Sequence, residues 1–228
     1  MSKATPKLDP RLVQSPTSGG GLTMSSCLIR GVRSVELVSS NLAEAARFYA
    51  DVLQLAPAET QNNAQYFHGT GSYRHVLGLN LGNQPAVIRV VFDLADRHAI
   101  TVLHRAMSGA GLKSTAPAEL STPGRGYGFG CKDPDGRNLV FVCDCADYAD
   151  NADRTDRPRK IAHVNLNARN FDASLTFFTQ TLGFRLVDEN APLGFCIAPI
   201  MTIARSRWRR PACRHSTTSR SKCLIPIR

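Results

Sequence analysis

Residues 34–55 and 163–184 are one segment written twice. SVELVSSNLAEAARFYADVLQL aligns without a gap on HVNLNARNFDASLTFFTQTLGF at a constant offset of 129 residues. Val35, Leu37, Asn41, Phe48 and Leu53 recur as Val164, Leu166, Asn170, Phe177 and Leu182. Self-similarity at so long a period means that a whole supersecondary unit has been copied. Any fold for this chain must therefore contain the unit at least twice.

The unit itself is legible. Val35 and Leu37 alternate with polar neighbours, as in a half-buried strand. Asn41 then stands as a helix N-cap with Glu44 at the capping-box position. Leu42, Ala45, Ala46, Tyr49, Val52 and Leu53 follow at spacings of three and four, which predicts one buried helical face. Strand-like runs come next, around Gln65 to His68, His75 to Asn80 and Ala86 to Leu94, punctuated by Gly69, Gly71, Gly82 and Asn83. A second helix is predicted from Ile100, Leu103, Ala106 and Met107, ending at Gly109 and Gly111. Gly126 to Cys131 and Asn138 to Cys143 read as a hairpin turned by Asp133-Pro134-Asp135-Gly136. The order strand, helix, strands thus occurs twice between residues 29 and 146 and begins again at 161.

The expected organisation is a disordered leader over 1–28, a first domain of two βαβββ modules over 29–146, a charged linker over 147–160, the start of a second domain over 161–195 and a basic tail over 196–228. Domains usually need about 100–150 residues. The chain's 228 residues hold one full domain and part of another, the second being truncated. The leader is rich in Ser, Pro and Gly and has no apolar signal stretch, which predicts a cytoplasmic protein. Met24 is an alternative start to Met1. No apolar run is long enough to span a bilayer.

Net charge is +10, but from Asn190 onward there is no acidic residue and eight Arg and Lys side chains supply +8 of it. The basicity belongs to the tail, so nucleic acid is not an expected partner of the folded body. Seven cysteines, an odd number at irregular spacings, argue for reduced thiols. The Cys143-x-Cys145 pair lacks the second pair that a zinc site would need.

Four motifs, VELVSSNLAEAARFYADVLQL, YFHGTGSYRHVLGLNLG, PGRGYGFGCKDPDGRNLVF and HVNLNARNFDASLTFFTQTLGF, in this order over residues 32–195, resemble the vicinal-oxygen-chelate superfamily of glyoxalase-like, antibiotic-resistance and extradiol dioxygenase proteins. The resemblance implies an α+β fold in which paired βαβββ modules form a curved mixed sheet. It also implies a metal held on the open face by His or Glu from the strands of paired modules. Two histidines and a carboxylate suit non-haem Fe(II), with Mn(II) as an alternative. The first strand of a module supplies one ligand, at the position of Ser34 in the first domain and of His163 in the second. Ser34, Arg89 and Val140 stand at ligand positions of the first domain, which is therefore expected to be metal-free. His163 is the one metal ligand candidate.

A metal-free first domain before a ligand-bearing second one is the layout of two-domain extradiol dioxygenases. Its implied partners are a small aromatic diol and O₂, and it makes a homo-oligomer an expectation. His68 and His75 are read as solvent-facing or strand-end residues, and His98 and His104 as helix residues without a chemical task. Past Phe195 the family pattern stops. Read with the third base of each codon joined to the first two of the next, the tail from Cys213 can encode LPPLNHVAFEMPDPDS, which resembles the family's second ligand strand. A frameshift near residue 195 and a native basic arm are the two readings. With most of the metal site missing, helix residues Leu175, Phe178 and Leu182 are expected to be exposed, or to pair with the first domain. The metal is expected not to be retained, and turnover to be negligible. A non-catalytic small-molecule-binding module is the alternative function.

Overall fold

The computed structural model describes residues 27–61, 63–121, 123–148, 154, 156–190, 193–197 and 201–205. The leader up to residue 26 and the tail after 205 lie outside the described residues. Cys27 and Leu28, assigned to the leader by sequence, pack against the core.

The first domain is one mixed sheet of eight strands in the order β2-β3-β4-β1-β5-β8-β7-β6. Its first module runs β1 (Ile29–Ser39), α1 (Leu42–Arg47), β2 (Ala56–Gln61), β3 (Ala64–His68) and β4 (Leu77–Leu81). Its second runs β5 (Ala86–Leu94), α2 (Arg97–Gly109), β6 (Ala118–Glu119), β7 (Tyr127–Lys132) and β8 (Asn138–Cys143). The two leading strands join the modules: β1 and β5 pair antiparallel, with Ser34 opposite Val91, Val35 opposite Val90 and Glu36 opposite Arg89. Sequence reading missed β2 and β6. β2 carries Pro57 and Glu59, residues that blunt an edge strand and disguise it, and β6 is only two residues long.

Asn41 caps α1 as expected, its Oδ1 accepting from Glu44 N–H at 3.1 Å while its amide donates to Glu44 Oε2 at 2.9 Å. The helix then passes into one π-helical turn, Phe48–Val52. The wider turn breaks the 3.6-residue phase, and Val52, expected on the buried face, is 63% exposed. α2 follows the sequence reading: Ile100, Leu103, Ala106 and Met107 are all buried.

The third copy of the unit comprises β9 (Val164–Ala168), α3 (Phe171–Thr176), a π-helical turn at Phe177–Thr181, β10 (Arg185–Asn190), β11 (Leu193–Ile197) and β12 (Met201–Arg205). Its sheet order, β10-β11-β12-β9, repeats the β2-β3-β4-β1 order of the first module, and β12 runs parallel to β9 as β4 does to β1. The unit thus continues beyond Phe195, where the sequence pattern alone ended. Met201–Arg205 is a single short strand without the polar and apolar landmarks used upstream.

Exposure of the third unit's helix is not what the structure shows. Phe178 and Leu182 are fully buried, Leu175 is partly buried, and all three belong to one core with Val90, Phe92, Leu139 and Phe141 of the first domain. Phe178 meets Phe184 at 5.6 Å, and Phe184 meets Phe92 edge-on at 6.0 Å between ring centres. The alternative of pairing with the first domain is the one realised, because a continuous apolar sheet face was available to cover the helix.

The Asp-Pro-Asp-Gly turn fastens the third unit from the other side. Arg137 is held by Asp133 and Asp135 at 2.7 and 2.8 Å and donates to the Asn167 carbonyl at 2.7 Å, while Asp135 accepts from Arg169 N–H at 3.0 Å. Truncating Phe178 to Ala is expected to cost about 3–5 kcal/mol and to release the third unit before the first domain. Hydrogen exchange should show protection lost over 164–186 while α2 and β5 stay protected.

Candidate functional site

Alternation along β1, β5 and β8 sends Val35, Val90, Phe92, Leu139 and Phe141 to the helix-covered face and Ser34, Glu36, Arg89, Val91 and Val140 to the opposite, helix-free face. The three positions singled out by sequence, Ser34, Arg89 and Val140, do come together there and line one small cavity with Glu36 and His75. Its centre is an ion pair. Arg89 Nη2 lies 2.9 Å from Glu36 Oε2, and the Glu36 side chain is only 2% exposed.

Packing around Glu36 is close enough to dictate a glycine. A Cβ on Gly78, the β4 neighbour of Glu36, would stand 2.8 Å from Glu36 Cγ and 2.9 Å from the Tyr66 ring. Tyr66 in turn meets His75 edge-on at 5.0 Å. Burial pushes the Tyr66 hydroxyl above its usual range, with the Glu36 charge adding to the effect. His75 is 5% exposed and lies two residues before β4, so of its two readings strand-end holds and solvent-facing does not. Burial first, and then the positive charges of Arg33, Arg89 and Arg74, push its pKa down from 6.5 to about 4.

A divalent metal does not fit this face. Val140 offers no donor atom and Ser34 only a neutral hydroxyl, and the Arg89 guanidinium sets a fixed positive charge against Glu36, the one carboxylate among the residues lining the cavity. Glu36 and Tyr66 are the residues that sequence reasoning missed. The signal was present, since Glu36 interrupts the apolar run Val35, Leu37, Val38 of an interior strand and such a charge needs a partner.

His163 immediately precedes β9 and is half-buried. It borders a mostly apolar cavity of about 260 Å³ formed with Tyr49, Leu53, Leu55, Leu77 and Asn165. Burial lowers its pKa below 6.5, which favours the neutral imidazole that can ligate a metal. The described residues include no cluster of three or more His, Cys, Asp or Glu side chains that could hold a metal ion. His163 is thus a single candidate ligand, and the described residues alone do not make a metal centre.

The other sequence candidates are structural. Cys143 is buried and its thiol is pushed up to about 12 by burial, so the C-x-C pair presents no thiolate. His68 stacks on Tyr148 at 4.2 Å and shares a 2.8 Å hydrogen bond between Nδ1 and the Gly69 carbonyl. His104 packs edge-on against Phe129.

Residues 31–141 and 160–209 match the model of the Glyoxalase/Bleomycin resistance protein/Dioxygenase superfamily. The chain belongs to this superfamily. A Mn(II)-bound glyoxalase from Novosphingobium aromaticivorans is 27% identical, with a TM-score of 0.72 over 78% of this chain and 62% of that one. A variant of homoprotocatechuate 2,3-dioxygenase from Brevibacterium fuscum is 18% identical, with a TM-score of 0.70 over 79% of this chain and 54% of that one. The second likeness is one of fold. This chain spans less than two thirds of either relative. No curated protein matches the sequence significantly. Among the described residues, no helix is long and apolar enough to cross a membrane.

Within the superfamily fold, the buried pair makes two predictions. Arg89→Met leaves Glu36 charged and unpaired and should cost about 3 kcal/mol, the low end for a buried pair because Arg89 is 29% exposed. Adding Glu36→Gln should recover most of it, both read by urea denaturation. His75 has a folded pKa of about 4 against 6.5 unfolded, so the unfolded chain takes up its proton first as pH falls. Stability should therefore drop between pH 6.5 and 4, by up to about 1.4 kcal/mol per pH unit, and His75→Gln should flatten that slope.

Proposed function

We propose that the chain carries the metal-free first domain and the leading ligand strand of the second domain of an extradiol ring-cleavage dioxygenase. The reaction class is insertion of both atoms of O₂ into a catechol-type ring beside its hydroxyls. One observation carries the reading: at equivalent places of the repeat, the first domain has Ser34 beside a Glu36–Arg89 ion pair, whereas the third unit has His163. An inert first domain followed by a ligand-bearing second is the layout of that enzyme type, and the likeness in fold to the Brevibacterium enzyme supports it.

His163 is assigned as a ligand for Fe(II), with Mn(II) as the alternative metal. One imidazole does not retain such an ion, so His163 needs further ligands from beyond the described residues. The remaining ligands belong on a fourth βαβββ unit, which would pair with β9 as β5 pairs with β1. The metal site is assigned to His163's face of that completed sheet. A second reading rests on the 27% identity to the Mn(II)-bound glyoxalase: a metal-dependent enzyme of glyoxalase type, with the same His163.

Joining a βαβββ unit after Arg205, with a histidine on its leading strand and a carboxylate on its last, tests both. Stoichiometric Fe(II) uptake and formation of a coloured ring-opened product from catechols are expected, and His163→Ala should abolish both. Metal uptake with turnover of a glutathione hemithioacetal instead would favour the second reading. Unchanged metal binding in His163→Ala would sink both.

A further inference from the structure

The cavity on the helix-free face of the first domain has no task in the function proposed above, yet it is not finished as a piece of core. Among the described residues, four buried side-chain atoms on this face have no hydrogen-bond partner: Ser34 Oγ, His75 Nδ1, Asn80 Nδ2 and Arg89 Nε. Native interiors leave few such atoms, and a cluster of them calls for a guest. Ser34, His75 and Arg89 line one cavity of about 20 Å³, above the roughly 10–15 Å³ that the smallest single guest needs.

The chemistry of the orphaned atoms narrows the guest. The Arg89 Nε–H and the Asn80 amide nitrogen can only donate, the Ser34 hydroxyl can donate, and the His75 ring donates from Nδ1 in one of its neutral tautomers. One guest that accepts hydrogen bonds would satisfy them together. Charge points the same way. The lining contains Arg33, Arg89 and Arg125 against the single carboxylate of Glu36. Arg33 is balanced by Asp93 at 3.2 Å and Glu36 by Arg89 at 2.9 Å, which leaves the exposed Arg125 at the rim without an ion-pair partner among the described residues. The basicity of His75 is depressed by its burial first and then by the nearby charges of Arg33, Arg89 and Arg74.

We propose that the cavity is a binding site for one small monovalent anion of halide size, held by the Ser34 hydroxyl, the Arg89 Nε–H and the His75 Nδ1–H. The face where a ligand-bearing module would hold a cation here carries the opposite preference. Size sets the selectivity: chloride and bromide enter, while gluconate and sulfate are excluded. The site needs neither His163 nor a metal, so its failure would leave the dioxygenase reading untouched.

Crystals grown in sodium bromide, measured at the bromine absorption edge, should show an anomalous peak within hydrogen-bonding distance of Ser34 Oγ and Arg89 Nε. In solution, sodium chloride should raise Tm by about 1–3 °C over sodium gluconate at equal ionic strength. Ser34→Ala, which keeps the space and removes one donor, should shrink that chloride-specific rise, and Ser34→Val, which fills the space, should abolish it. Should Ser34→Val fail to fold, the bromide peak and the Ser34→Ala titration still decide the matter. A cavity holding only water in bromide, or equal Tm in chloride and gluconate, overturns the proposal.

Discussion

Everything in the first domain depends on the antiparallel pairing of β1 with β5. Each is the leading strand of its module, and Val35 opposite Val90 marks the local axis about which the modules exchange places. The pairing turns two small units, neither able to bury its own sheet, into one eight-stranded sheet with two unlike faces. On one face the alternation delivers Val90, Phe92, Leu139 and Phe141 to α2 and to the third unit. On the other it delivers Ser34, Glu36, Arg89 and Val140 to one small cavity. A one-residue slip in this register would exchange the two faces and bring the Glu36 carboxylate into the apolar core.

The two faces handle burial differently. The helix-covered face is stabilised by apolar area, and its aromatic chain from Phe141 through Phe92 to Phe184 and Phe178 runs without a break into the third unit. The helix-free face buries a charged pair, which stabilises little relative to an apolar substitute but is costly to break on one side. The buried Glu36 carboxylate therefore needs both the cation that faces it, Arg89, and a neighbour as small as Gly78 to leave it room.

Much of this was legible in the chain. The repeat, the Asn41 cap, the α2 face and the turn at Asp133 to Gly136 all rest on local chemistry, and local chemistry is what a sequence displays. The expectation for Val52 failed because a π-helical turn changes the phase of a helix without any signature in residue type. β2 was hidden because an edge strand is selected for what it prevents, and Pro57 and Glu59 look like loop residues. His75 was misjudged because its burial comes from Tyr66 on a neighbouring strand, a partner that no local pattern reveals. The Ser34, Arg89 and Val140 positions were found only through the family resemblance, and Glu36, the residue that explains Arg89, was missed beside them.

The π-helical turns pair the third unit with the first. Phe48–Val52 and Phe177–Thr181 occur at the same offset as the repeat itself, whereas α2, the helix of the second module, runs without one. A widened turn shifts the phase of every side chain after it, so residue-by-residue equivalence holds through the helices of the first and third units and is lost across α2.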